Sequence, residues 1–133
     1  MKKIWTNGCF DVLHIGHIKM LEFAKGSGDY LVVGIDSDSR VKKLKGEERP
    51  YNNQNDRKEF LQAIKFVDEV VIFDSAEHLC SLVKDLGISE IVVGEEYKKG
   101  LVLGSDLCPV KFFPRIGEYS TSKILSERIY SSK

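Results

Sequence analysis

Cysteine is scarce in this chain, and what little there is does not pair. Cys9, Cys80 and Cys108 are three in number and far apart. That excludes a disulfide framework and the close spacing of a zinc site, and it reads as reduced thiols in a cytoplasmic protein. A surplus of either charge is also missing. Lys plus Arg number 20 and Asp plus Glu number 20, which leaves no electrostatic case for bulk binding to nucleic acid or an anionic membrane. No apolar run approaches the ~20 residues of a membrane span. The opening residues, Met1 to Asn7, carry neither a long apolar stretch nor a small-residue cleavage site, so they do not read as a secretory leader. Internal repeats, low-complexity tracts and linkers are lacking as well.

What remains is an ordinary globular composition. The chain has 133 residues, 42% hydrophobic and 30% charged, which suits one domain over residues 1–133 with a core of its own. Strand and helix patterns alternate along it. Ile4-Trp5-Thr6 reads as a first strand. Ile18, Leu21, Phe23 and Ala24 line a helix that stops near Gly26-Ser27-Gly28. Residues 30–35 form a continuous apolar run, as in a strand buried on both faces. Residues 36–53 read as a long polar segment. Phe60, Leu61, Ile64 and Val67 mark a helix capped by Asn53 or Asn55. Further strands are expected at residues 69–73, 90–93 and 110–113. Leu79, Leu82, Val83 and Leu86 mark a helix stopped by Gly87, and a last helix is expected to start near Ser120 or Thr121. Such alternation predicts an α/β fold: a single-domain, Rossmann-like, parallel five-stranded sheet with helices on both faces. Ligands of such sheets gather at the carboxyl ends of the strands.

Histidine is rare too, and its placement is informative. Of three histidines, two lie in the run Gly8-Cys9-Phe10-Asp11-Val12-Leu13-His14-Ile15-Gly16-His17. The third, His78, reads as an exposed helix residue. The run joins the first strand to the first helix, where a helix N-terminus can receive a phosphate. The bare spacing leaves other uses open. A His-x-x-His pair can ligate a metal, although no third ligand of the expected type is near, and either ring can be a half-buried, hydrogen-bonded side chain. Three further segments hold unusual residues: Lys42 to Pro50 with Arg57 after it, Gly94 to Lys98, and Arg115 to Lys123. Polyphosphate held between helix N-termini with Lys and Arg nearby would be well neutralised.

These segments resemble the nucleotidyltransferase superfamily that shares a His-x-Gly-His signature with class I aminoacyl-tRNA synthetases, nearly end to end. Gly8 to His14 resembles its cytidylyltransferase-like branch. Coenzyme A and nicotinamide adenylyltransferases usually carry a proline and an arginine where this chain has Val12 and Lys123, and the synthetases are excluded by size. Ile35 to Asp38, Val41 to Gly46 and Arg49-Pro50 are similar to the adenylyltransferases that form ADP-heptose, and Cys9 agrees with them. Pro114 to Thr121 is similar to glycerol-3-phosphate cytidylyltransferases.

The resemblance implies transfer of a nucleoside monophosphate from ATP, or from CTP, to a phosphorylated sugar or polyol, with release of pyrophosphate. It implies Mg²⁺ as cofactor and a homodimer, with no nucleic-acid or membrane partner. The implied catalytic residues are His14, His17, Lys45 and Arg115. Gly8, Cys9, Phe10, Asp11, Gly16, Gly94, Glu95, Tyr97, Ser120 and Thr121 would contact the nucleotide. Asp36, Lys45 and Arg57 would contact the acceptor. Asp11 would assist the metal or, read simply as a turn carboxylate, accept backbone N–H groups. Arg57 read without the resemblance is a surface helix residue. A module that keeps the fold and binds nucleotide without turnover is the competing function.

Overall fold

The computed structural model describes residues 1–95, 98 and 100–114. Within them the chain runs β1 (Lys3–Gly8), α1 (Ile15–Gly26), β2 (Tyr30–Asp36), α2 (Asp38–Lys45), α3 (Gln54–Gln62), β3 (Glu69–Phe73), α4 (Ala76–Asp85), β4 (Glu90–Gly94) and β5 (Val110–Phe113). The five strands form one sheet in the order β3-β2-β1-β4-β5. Every pairing is parallel, with Gly8 opposite Ile35 and Gly94 opposite Phe113. All five carboxyl ends therefore lie along one edge.

Side chains alternate across the pleat as a parallel sheet requires. Ile4, Leu31, Val33, Ile35 and Val92 face Leu21 and Ala24 of α1 and Leu61 of α3. Trp5, Val32, Ile91 and Val93 face Leu79 and Val83 of α4. A fully buried Leu or Ile stabilises such a layer by about 1.5–3 kcal/mol, so each face is held by several independent contributions. Gly34 belongs to the α4 face and must be glycine. A Cβ there would sit 2.3 Å from Trp5 Cζ2, and the indole needs that space.

The helix ends follow local chemistry. Asn53 Oδ1 accepts the Asp56 N–H at 2.9 Å and caps α3. Gly87, at φ 67°, takes the left-handed position after α4 that favours glycine. Two expectations need correction. The polar segment 36–53 contains α2, which Ser37 caps through Arg40 N and which buries only Val41. One apolar anchor in eight residues leaves no periodic stripe to read. Helix α3 ends at Gln62 and not near Val67, and Phe60, expected inward, is 45% exposed. Ile64 and Val67 reach the core from the turn beyond the helix. The expected last helix lies outside the described residues. Among the described residues no helix is long and apolar enough to cross a membrane.

Candidate active site

Strand order sets the location. From β1 the chain winds outward through β2 to β3, then returns to the other side of β1 to add β4 and β5. The winding reverses between β1 and β4, and that switch point opens a crevice at the carboxyl edge where such sheets bind ligands. The residues that leave β1 at this point are Cys9 to His17.

The two histidines brace each other. His14 is the N-cap of α1 and its Nδ1 accepts the Gly16 N–H at 3.0 Å. His17 Nδ1 accepts the His14 N–H at 3.1 Å. This is a capping box built from imidazoles in place of the usual hydroxyl and carboxylate. The rings stack with centroids 3.9 Å apart. With Nδ1 occupied as an acceptor, a neutral ring must carry its proton on Nε2, so each becomes an N–H donor through that atom. His17 is held neutral. Burial, then the charge of His14, then that of Lys45 pull its pKa down to about 4.

Lys45, the last residue of α2, is near enough for its charge to act on His17. Its charge is also felt at Cys9, where burial nonetheless pushes the thiol pKa up. Cys9 is a protonated, half-buried filler and not a nucleophile. Phe10 is buried, stands at φ 52°, and lays its ring 5.3 Å from that of His17. Gly8 leaves room for it, since a Cβ there would lie 3.1 Å from the Phe10 ring. Gly16 stands in the first turn of α1.

Asp11 corrects the metal expectation. Its side chain has no exposed surface. Oδ2 accepts from Tyr51 N at 2.7 Å and Arg49 Nε at 3.0 Å, and Oδ1 accepts from Asn52 N at 2.7 Å. It is a turn carboxylate that ties residues 49–52 to the motif. Among the described residues no three His, Cys, Asp or Glu side chains group to hold a metal ion. The Asp11 oxygens are thus committed to the loop, and a magnesium ion carried by a nucleotide would need only one or two carboxylates from the protein.

Arg57 is also elsewhere than expected. It is fully buried in α3, neither on the surface nor presented to an acceptor. Its guanidinium donates to Asn52 O, Cys9 O, Asp36 O and Asp38 Oδ1, all at 2.8–3.0 Å. Asp36 closes β2 at the same edge, and its Oδ1 accepts from Arg40 Nε at 2.7 Å. Gly94 closes β4, with the exposed Glu95 in the short turn beyond it. Tyr97, Arg115, Ser120 and Thr121 lie outside the described residues. Arg49 and Asn52 were given no role from sequence. They meet Asp11 across 38 and 41 positions, and no local signal announces such a pairing.

Comparison with known proteins identifies the family. Residues 5–124 match the cytidylyltransferase-like family. "Bifunctional protein HldE" of Campylobacter jejuni subsp. doylei is 47% identical over 133 residues, covering 99% of this chain and 28% of that protein. The protein of the same name from Aliarcobacter butzleri is 44% identical over 130 residues, covering 95% and 27%. The chain thus spans under a third of the length of these curated relatives. Among solved structures, the lipopolysaccharide core biosynthesis protein from Thermoplasma volcanium superposes with a TM-score of 0.68 at 26% identity, covering 90% of this chain and 99% of that one. Thermotoga maritima TmcAL, solved with alpha-thio ATP, superposes at 0.71 with 14% identity over 99% of this chain and 51% of that one, a likeness of fold. With a parallel sheet, a switch-point histidine pair and a match across most of its length, the chain belongs to the cytidylyltransferase-like family of nucleotidyltransferases.

Proposed function

We propose that the chain transfers adenylate from ATP to a sugar 1-phosphate, most closely a heptose 1-phosphate, releasing pyrophosphate. The observation that carries the reaction class is the reciprocal bonding of His14 and His17, which commits both Nδ1 atoms to the backbone and makes each Nε2–H a donor. An acceptor phosphate oxygen attacks the α-phosphorus in line, the bond to the pyrophosphate oxygen breaks, and charge spreads over the phosphorus oxygens. Fixed neutral donors stabilise that charge without reorganising. The acceptor phosphate is already ionised near neutral pH, so no strong base is needed. Lys45 adds a positive charge at the same place, for the phosphates of either substrate. Arg115, Ser120 and Thr121 remain our candidates for the departing β- and γ-phosphates, and Glu95 and Tyr97 for the base or ribose. Asp36 remains a candidate contact for the acceptor.

Adenine and a heptose are favoured by residues 35–50, which resemble the ADP-heptose-forming adenylyltransferases, and by the 44–47% identity to the HldE proteins. The likeness to a lipopolysaccharide core biosynthesis protein fits a sugar acceptor. A cytoplasmic homodimer belongs to the same proposal. The test is pyrophosphate release from the purified chain with ATP or CTP against heptose 1-phosphate and glycerol 3-phosphate. ATP with heptose 1-phosphate is expected to give the highest kcat/KM. A preference for CTP and glycerol 3-phosphate would replace both substrates and keep the reaction class. Calorimetric ATP binding with no release from any pair would make the chain a binding module.

A further inference from the structure

Arg57 meets neither histidine nor Lys45, and it touches Asp36 only through the backbone carbonyl; yet it is fully buried and makes four hydrogen bonds. One of these goes to the carbonyl of Cys9. That oxygen belongs to the peptide plane between Cys9 and Phe10, and rotation of this plane is what φ of Phe10 measures. Phe10 stands at φ 52°, a left-handed conformation that a bulky side chain avoids and keeps only where its surroundings over-determine it. The Phe10 ring in turn packs beside the ring of His17. One residue further, Asp11 is held by Tyr51 N and Asn52 N, and the Asn52 carbonyl is another acceptor for Arg57. The two braces are one structure. The remaining bonds, to Asp36 O and Asp38 Oδ1, anchor it to the end of β2 and the start of α2, the helix that ends in Lys45.

We propose that Arg57 is a positioning residue for transfer: by gripping the Cys9 carbonyl it keeps Phe10 left-handed, seats the His17 ring, and holds that turn in register with the helix that carries Lys45. Only the planar fork of arginine can reach backbone carbonyls in three segments and Asp38 together; a lysine ammonium presents its donors from one point. The inference rests on the proposed transfer reaction, in which Arg57 itself contacts neither substrate.

The experiment compares Arg57→Lys and Arg57→Ala with Leu79→Ala, a cavity variant on the opposite face of the sheet. All are measured at a temperature where each is folded by circular dichroism. For Arg57→Lys we expect kcat with ATP and heptose 1-phosphate to fall about 10- to 100-fold while both KM values move less than about 3-fold, as for misplaced catalytic groups. Arg57→Ala should lose more and recover part of its rate with added methylguanidinium. The ¹⁵N resonances of the His17 ring, which need no substrate, should shift from the Nε2–H tautomer toward a mixture in both variants. Leu79→Ala should melt earlier yet keep wild-type kcat and the wild-type His17 spectrum. A wild-type kcat and His17 spectrum in Arg57→Lys would overturn the assignment. So would a raised KM for heptose 1-phosphate at unchanged kcat, since that marks a direct acceptor contact. If the wild-type chain releases no pyrophosphate, the transfer reading fails, and the His17 resonances still decide whether Arg57 seats that ring. If Arg57→Ala does not fold, Arg57→Lys carries the test.

Discussion

Charged side chains meet at both edges of the sheet, under opposite conditions. At the amino edge Lys2 pairs with Glu90 at 3.7 Å, and Lys25 at the end of α1 pairs with Asp68 before β3. Three of these four side chains are open to water: Lys2 is 48% exposed and Lys25 and Asp68 are 31% and 29%, while Glu90 keeps only 17%. At the carboxyl edge the Asp11 carboxylate and the Arg57 guanidinium have no exposed surface, and each is matched by several donors or acceptors. The same residue types therefore serve different ends. Exposed pairs are screened and contribute little. Buried ones cost much when broken, because the surviving partner stays desolvated and unmatched. The rigid edge is the one that presents the histidines, and it also holds the left-handed Phe10. Stiffness and strain are concentrated where alignment of reacting groups matters.

The sharpest way to break this contrast is Asp11→Ala. It strands Arg49 Nε and the N–H groups of Tyr51 and Asn52, and should lower unfolding free energy by about 3–5 kcal/mol in urea denaturation. A loss below about 1 kcal/mol would make the two edges alike. Next in size are His14→Ala and His17→Ala. Each removes one donor to developing charge and should reduce kcat by about 10²- to 10³-fold, with circular dichroism showing the fold retained. Near-normal pyrophosphate release in both would remove the histidines from the mechanism.

Acidity sharpens the comparison further. The His17 pKa falls from 6.5 to about 4, chiefly through burial. Above pH 6.5 the ring is neutral both folded and unfolded, and its contribution is fully present. Between 6.5 and about 4 the unfolded chain takes a proton that the native ring refuses, so stability drains as pH falls. An NMR titration of the His17 ring should show a midpoint near 4. A midpoint near 6.5 would mean that the ring is solvated and the edge is open. The smallest effect is expected at the other edge. Lys2→Met should change stability by less than about 1 kcal/mol, and a larger loss in denaturant melts would show that the amino edge also depends on its ion pairs.

Much of the fold was legible because its signals are local. The runs at residues 30–35 and 90–93 are continuous and apolar because both faces are covered, and they appear as β2 and β4. Asn53 and Gly87 cap and stop their helices as side-chain and backbone chemistry dictate. Helix α2 was hidden because it buries only Val41. In the site, the residue types and the strand-to-helix turn were readable. The uses of Asp11 and Arg57 were not. A carboxylate or guanidinium reads alike in sequence whether it meets a ligand or a distant carbonyl. Arg57 meets Cys9 across 48 positions.

Sequence alone determined the alternating pattern of a parallel sheet, the histidine pair at a strand-to-helix turn, and the likeness to nucleotidyltransferases. Each depends on residues close in the chain or on a motif that travels whole. Tertiary structure decided the order β3-β2-β1-β4-β5 and with it the switch point beside β1. It also decided the Nε2–H tautomers, the suppressed basicity of His17, and the conversion of Asp11 and Arg57 from candidate ligand contacts into buried struts. The reason is physical. Desolvation and hydrogen-bond partnership belong to the space around a group, and that space is filled by segments tens of residues away.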